Sequence, residues 1–375
     1  MGMDSDADEP AVTDPKSGTS ALAANLLAAH LQSMTRWPDR LRGSMLLVGD
    51  LFVRNSSFDG FDDQKALQLV AELLTTEWKD PLHQADASSQ QQLALLKTLM
   101  ASKLLKASTV DCKDPNILYE RFETFRMDVR PNSMLIPWGW STEKGGHAML
   151  LEVVKKVSAT GSSYFQVVVY NSGSGIRYHR RFTDKESGKL LADQALCIDV
   201  ASAEQLNLNF WRAVTASVHE NDGVGAKLLY SAVLGLLCGQ DRSIELLPKP
   251  LDDYLETQIS GTCTMGCIKA YLYEQIKRHF KDKEERKRIF EQLSIELTQK
   301  AMKVLLEEVD KLNLNFLSNA MFRDLKICLE KILSYYPSYL GDSHLKSLMP
   351  HPLEQTILRV NRSILTVHPM EHPLP

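Results

Sequence analysis

Six cysteines in 375 residues, at 112, 197, 238, 263, 267 and 328, are too few and too scattered to form a disulfide framework. They suit a reducing compartment. Long hydrophobic runs are missing as well. The longest, Leu228 to Cys238, is about half of the ~20 residues that a membrane-spanning helix needs. Neither sign of charge dominates: the formal net charge is −4 and the pI about 6.2, which excludes a global attraction to nucleic acid or to an anionic membrane. No fixed-period repeat and no low-complexity tract is present. Met1 to Thr19 is acidic and rich in Asp, Ser, Thr and Pro, the reverse of a secretory or transit peptide. Asp6 breaks the myristoylation pattern that Met1-Gly2 begins. The expectation is a soluble chain of a cytoplasmic kind, with no membrane insertion and no nucleic-acid partner.

What is present is an ordinary globular composition, 44% apolar and 24% charged. Residues 1–19 read as disordered for want of apolar content. Residues 20–110 read as a helical accessory subdomain. Leu22, Leu26, Leu27 and Leu31 recur at helical spacing, and a second apolar face runs from Ala66 to Trp78, stopped by Asp80-Pro81. Ser89 to Gln92 reads as a capping box for a third helix through Leu93, Leu96, Leu99 and Leu104.

The character changes after Pro115. A short helix (Asn116 to Phe125) leads to a strand, Ser133 to Pro137, then to Trp138-Gly139-Trp140 and a loop ending at Gly146. Three extended segments follow: Ala148 to Lys156, Tyr164 to Tyr170 and Ile176 to Phe182. The last two flank Asn171-Ser172-Gly173-Ser174-Gly175, a hairpin signal. Leu196 to Val200 makes a fourth. The fold class is α+β, a small antiparallel sheet covered by helices on one face, with helical extensions at both ends. Helices are expected over Ala203 to Val218, Ala226 to Leu237, Lys281 to Leu312 and Phe316 to Tyr335. Residues 111–336 make the domain that carries the chemistry, and residues 337–375 a proline-rich tail.

That chemistry centres on the stretch from Gln258 to Cys267, a polar loop turning into a helix at Cys263. Gly261 supplies a bend and Ser260 or Thr262 a cap. A thiol in the first turn of a helix feels the positive end of the backbone dipole, which favours the thiolate. Gln258 is a neutral amide able to donate to an oxyanion. His147 stands behind Gly145-Gly146 at the mouth of a strand, and Asn171 ends the neighbouring one, where its amide can fix the far imidazole nitrogen. Cys263 as nucleophile, His147 as base, Asn171 as orienter and Gln258 as oxyanion donor complete the role list of a thiol acyl-transfer site.

Other readings stay beside this one. His179 is a rival base, although Arg177, Arg180 and Arg181 around it suggest a surface strand. Cys263 and Cys267 sit four apart with no second pair at metal spacing, so no zinc site is expected; acyl transfer to water implies no cofactor. Trp138 and Trp140 are either core residues or the wall of a substrate channel.

The order His, Asn, then Gln shortly before Cys resembles cysteine proteases of the adenain and ubiquitin-like-protein-protease clan. Bacterial effector deubiquitinases and deSUMOylases of the same arrangement are similar too. The resemblance spans Ser133 to Leu272. It departs at Ala148, where many members carry Trp, at Asn171 for the commoner Asp, at Thr264 for Gly, and in placing Gln258 one residue nearer the Cys. It implies a papain-like or adenain-like core and hydrolysis after the C-terminal tail of ubiquitin or a ubiquitin-like modifier. Through the effectors it also implies delivery into a host cytosol. An effector-type acetyltransferase on the same fold, or a non-catalytic helical interaction protein, are the alternatives.

Overall fold

The computed structural model describes residues 63–77, 87–128, 132–142, 145–158, 162–173, 175–185, 188, 190–200, 202–219, 229–238, 255–256 and 263–312, with isolated positions at 40–47, 226 and 355–356. The expected first helix from Ser20, the helix from Phe316, the tail apart from 355–356, and the loop holding Ser260 to Thr262 lie outside the described residues.

Four strands form the central sheet: β1 (Ser133–Thr142), β2 (Gly145–Val157), β3 (Ser163–Tyr170) and, further along the chain, β6 (Ala195–Val200). They lie in the order β1-β2-β3-β6 and every pair is antiparallel. A second, three-stranded sheet joins β4 (Arg181–Thr183), β5 (Leu190–Ala192) and β7 (Leu255–Glu256). The longer helices among the described residues are α1 (Asp63–Thr75), α2 (Ala87–Ser108), α3 (Pro115–Met127), α4 (Leu208–His219), α5 (Cys263–His279) and α6 (Lys283–Lys311). This is an α+β architecture, as the sequence pattern predicts.

Helices cover both faces of the sheet, not one. The physical reason is in the strands: Val167 to Tyr170 are all buried, with no solvent-facing alternation. On one face Phe122 of α3 meets Phe165 of β3 at 5.6 Å and Trp211 of α4 at 5.9 Å. α3 starts cleanly because Asp114 caps it, accepting from the Asn116 N–H, with Pro115 in the first turn. On the other face lie α2 and α5, with α1 and α6 behind them. The two helices α1 and α2, expected in an accessory subdomain, thus share the core of the sheet.

One buried acid ties α5 to that face. Glu152 of β2 is fully buried and accepts from the Tyr170 hydroxyl at 2.7 Å, Arg278 at 2.8 Å and Gln275 at 3.3 Å, with the Lys103 ammonium at 3.8 Å. Burial alone raises its proton affinity. The Arg278 and Lys103 charges outweigh that and hold the carboxyl below its ordinary range.

Four expectations need correction. Trp138-Gly139-Trp140 does not lead into a loop but continues β1, paired with Met149, Ala148 and His147. Asn171 to Gly175 is not a hairpin turn: it leads into a 3-10 turn at Ile176–Tyr178, and β4 joins the second sheet. The Asn171 side chain accepts from the Gly173 N–H at 2.9 Å and Gly175 has φ +78°, which bends the chain out of the sheet. Ser89 lies inside α2, which already begins at Ala87, so it is no cap. The helices expected over 203–218 and 226–237 are interrupted. The first splits into Ala203–Leu206 and α4, and the second holds a π-helical turn at Leu229–Val233.

Candidate active site

Cys263 is the first residue of α5, and its thiol is half-buried. The Ala148 N–H donates to its Sγ at 3.3 Å. One turn on, Cys267 is buried and donates to the Ala148 carbonyl at 3.3 Å. The two thiols therefore grip the single residue that follows His147. At the far end of the helix Gln275 and Arg278 grip Glu152. From Cys267 to Gln275 a helix rises about 12 Å, and from Ala148 to Glu152 a strand rises about 13 Å. A straight helix running along β2 meets both anchors, and its N-terminus is held beside the histidine.

His147 pairs with Trp140 across β1 and β2, with ring centroids 4.7 Å apart. It is only 8% exposed. Gly139 permits this close approach: with φ +152°, a Cβ there would fall 2.0 Å from the His147 carbonyl oxygen. Nε2 of His147 lies 2.8 Å from Asn171 Oδ1. Desolvation pushes the His147 pKa down to about 4, and the Asn171 hydrogen bond offsets only part of that. The imidazole is accordingly neutral near pH 7.

Asn171 is fully buried and its amide orientation is determined at both ends. Oδ1 accepts from the Gly173 N–H, while Nδ2 donates to the Tyr230 hydroxyl at 2.9 Å. A carbonyl oxygen therefore faces His147, which makes Nε2 the protonated nitrogen and leaves the Nδ1 lone pair as the basic site. Tyr230 rides on the π-helical turn and stacks on Tyr178 at 4.6 Å. Burial pushes its phenol well above the usual range.

The sequence-predicted residues divide as follows. From three separate segments, Asn171 meets the His147 ring and Cys263 meets the backbone of Ala148, the residue after His147. Trp140 covers the His147 ring. Trp138 is 3% exposed and donates its indole N–H to the Val214 carbonyl at 3.2 Å, so it is held in the core against α4. Gln258 lies outside the described residues. His179 is not on a surface strand: it is 3% exposed, while Arg177 and Arg181 face solvent. Tyr230 escaped the sequence reading altogether. The signal available for it was a phenol in the apolar run from Leu228, since a buried phenol needs a partner.

Among the described residues no group of three or more His, Cys, Asp or Glu side chains stands ready to hold a metal, and no helix is long and apolar enough to cross a membrane. Set against protein-family models and against curated proteins, the chain matches none.

Proposed function

We propose that this chain is a thiol hydrolase that cleaves peptide or isopeptide bonds after the C-terminal tail of ubiquitin or a ubiquitin-like modifier. The observation that carries the chemistry is the 2.8 Å contact between His147 Nε2 and Asn171 Oδ1, with Cys263 Sγ against the backbone of the very next residue, Ala148. The reading is supported by the Asn171 contact, which leaves the His147 Nδ1 lone pair free to act as the base, and by a cysteine that starts a helix beside the next backbone residue.

The reaction runs as acyl transfer. His147 Nδ1 takes the Cys263 proton as Sγ bonds to the substrate carbonyl carbon. The carbonyl π electrons move onto oxygen, where Gln258 and the positive end of α5 stabilise them. The intermediate collapses, the C–N bond breaks, and His147 returns its proton to the leaving amine. Water then attacks the thioester with His147 again as base. The C–S bond breaks, and Cys263 leaves with a proton as the tail carboxylate is released. Trp140, lying over the base, suits a wall for the slender glycine tail. The finer reading of the fold, a papain-like or adenain-like core, rests on the same order of sheet histidine, strand-end amide and cysteine-bearing helix. Delivery into a host cytosol as an effector follows from the same resemblance.

A panel of modifier-tail electrophiles tests this. One probe of the panel should label Cys263 in the full chain, and labelling should vanish in Cys263→Ala. If none of the panel labels the chain, while iodoacetamide still reaches Cys263, the modifier-tail substrate is wrong.

A further inference from the structure

A second buried histidine lies behind Asn171 and has no part in the acyl-transfer steps. His179 Nδ1 is 2.7 Å from the Asp193 carbonyl oxygen, and Nε2 is 2.7 Å from the Tyr230 hydroxyl. A carbonyl oxygen can only accept, so Nδ1 must carry a proton. In the neutral ring Nε2 is then an acceptor, and Tyr230 must donate to it. The Tyr230 oxygen in turn accepts from Asn171 Nδ2 at 2.9 Å, and Asn171 Oδ1 accepts from His147 Nε2–H at 2.8 Å. Every donor in this row points the same way, from His147 through Asn171, Tyr230 and His179 to the Asp193 carbonyl.

The direction is set from both ends by backbone groups whose roles cannot invert. The Gly173 N–H, 2.9 Å from Asn171 Oδ1, can only donate, and the Asp193 carbonyl can only accept. Packing holds the middle. Tyr230 is stacked on Tyr178 at 4.6 Å and set edge-on to His179 at 5.5 Å. Gly175 leaves room for the ring, since a Cβ there would lie 3.2 Å from Tyr230. A π-helical turn, a distortion often found at functional sites, places the phenol there.

We infer that Tyr230 and His179 are positioning residues, a polarised relay that orients the Asn171 amide and so selects the Nε2–H tautomer of His147. The role given to His147 rests on the thiol-hydrolase reading; the tautomer itself does not. Turning the Asn171 amide over would set Nδ2 against the Gly173 N–H and oblige His147 to carry its proton on Nδ1. That removes the lone pair the thiol needs.

The test reads the tautomer directly. Nitrogen-15 spectra of histidine-labelled full chain, in the Cys263→Ala background, report which ring nitrogen is protonated. His147 should be in the Nε2–H form and His179 in the Nδ1–H form. Tyr230→Phe keeps the stacked ring but loses the hydroxyl; with the Gly173 N–H alone left to hold the Asn171 amide, His147 should become a mixture of both tautomers. His179→Gln can still donate and accept and should preserve the His147 form, whereas His179→Leu should not. In the parent chain, Tyr230→Phe should slow iodoacetamide alkylation of Cys263 about five- to tenfold, the worth of one hydrogen bond. A folded Tyr230→Phe protein with His147 wholly in the Nε2–H form overturns the relay, as does wild-type His147 in the Nδ1–H form. Slow alkylation already in the parent chain, with the tautomer changes as stated, would instead count against the nucleophile and leave the relay standing.

Discussion

The buried imidazole of His147 makes a stability measurement that needs no substrate. Its pKa is about 4 in the folded chain against an ordinary 6.5, with burial the main cause. Above pH 6.5 neither the folded nor the unfolded chain holds the proton, and stability is complete. Between 6.5 and 4 the unfolded chain takes up a proton that the folded chain refuses, so acid favours unfolding. The full difference, 2.5 units at 1.36 kcal/mol each, is about 3.4 kcal/mol. By about pH 5 the linkage has already removed about 2 kcal/mol.

Urea unfolding at about pH 7.5 and about pH 5, for the Cys263→Ala chain with and without His147→Gln, isolates this quantity. Gln retains an N–H to offer Asn171 but does not titrate. Groups outside the hydrogen-bonded row of His147, Glu152 included, are common to both chains and cancel in the comparison. The chain with His147 should lose about 2 kcal/mol more on acidification than the chain with Gln. Equal losses would mean that the imidazole takes up its proton as easily in the fold as outside it. The argument for a neutral base at pH 7 would go with it.

Iodoacetamide, read by peptide mass, should modify Cys263 ahead of the similarly half-buried Cys112 and Cys197 and of buried Cys267; Cys263→Ala should abolish turnover, and Cys267→Ala should chiefly lower the melting temperature. Asn171→Ala should slow turnover about 10- to 100-fold without abolishing it, as removal of an orienting partner does. His147→Ala alone should be nearly as damaging as the double change with Cys263→Ala. Gln258→Ala should reduce turnover about 10²–10³-fold while Cys263 still alkylates, since an oxyanion donor acts in the transition state. Arg278→Met should cost about 3–5 kcal/mol in urea unfolding, because Glu152 keeps its buried charge and loses its closest cation, and Glu152→Gln should recover part of that loss.

The sequence made the strands β2, β3 and β6 legible because each is an apolar run of strand length. α6 was legible because its apolar residues recur at helical spacing, and α5 because a polar stretch with a bend and a cap precedes it. His147, Asn171 and Cys263 could be named because each sits where one such element starts or stops. What stayed hidden depends on departures from regular period. Arg177, Arg180 and Arg181 around His179 argued for a surface strand. The 3-10 turn at Ile176–Tyr178 breaks that strand and turns His179 inward. In a regular helix Tyr230 is one apolar position among several; the π-helical turn aims its hydroxyl at Asn171. The pairing of Trp138 and Trp140 into β1 was concealed by Pro137, which read as the end of the strand. Gly139 allows β1 and β2 to close together beside the site.

The neutral amide at 171 also bears on why α5 is gripped so firmly. A carboxylate in that position would raise the ring's proton affinity and balance the imidazolium that forms when the thiol gives up its proton. Asn171 supplies a hydrogen bond but no charge, and His147 is buried, so the positive charge that develops on the ring finds no anion there. On the proposed chemistry its counter-charge is the sulfur and then the oxyanion, and both of these must be stabilised by the N-terminus of α5. Such stabilisation comes from preorganised dipoles and is lost when the dipole moves away. Cys267 on Ala148 and Arg278 on Glu152 hold the helix along β2 at both ends. The buried Glu152 cluster, lying away from the reacting atoms, thus does for the helix what the relay does for the ring: it keeps one partner of the reaction in the orientation the other requires.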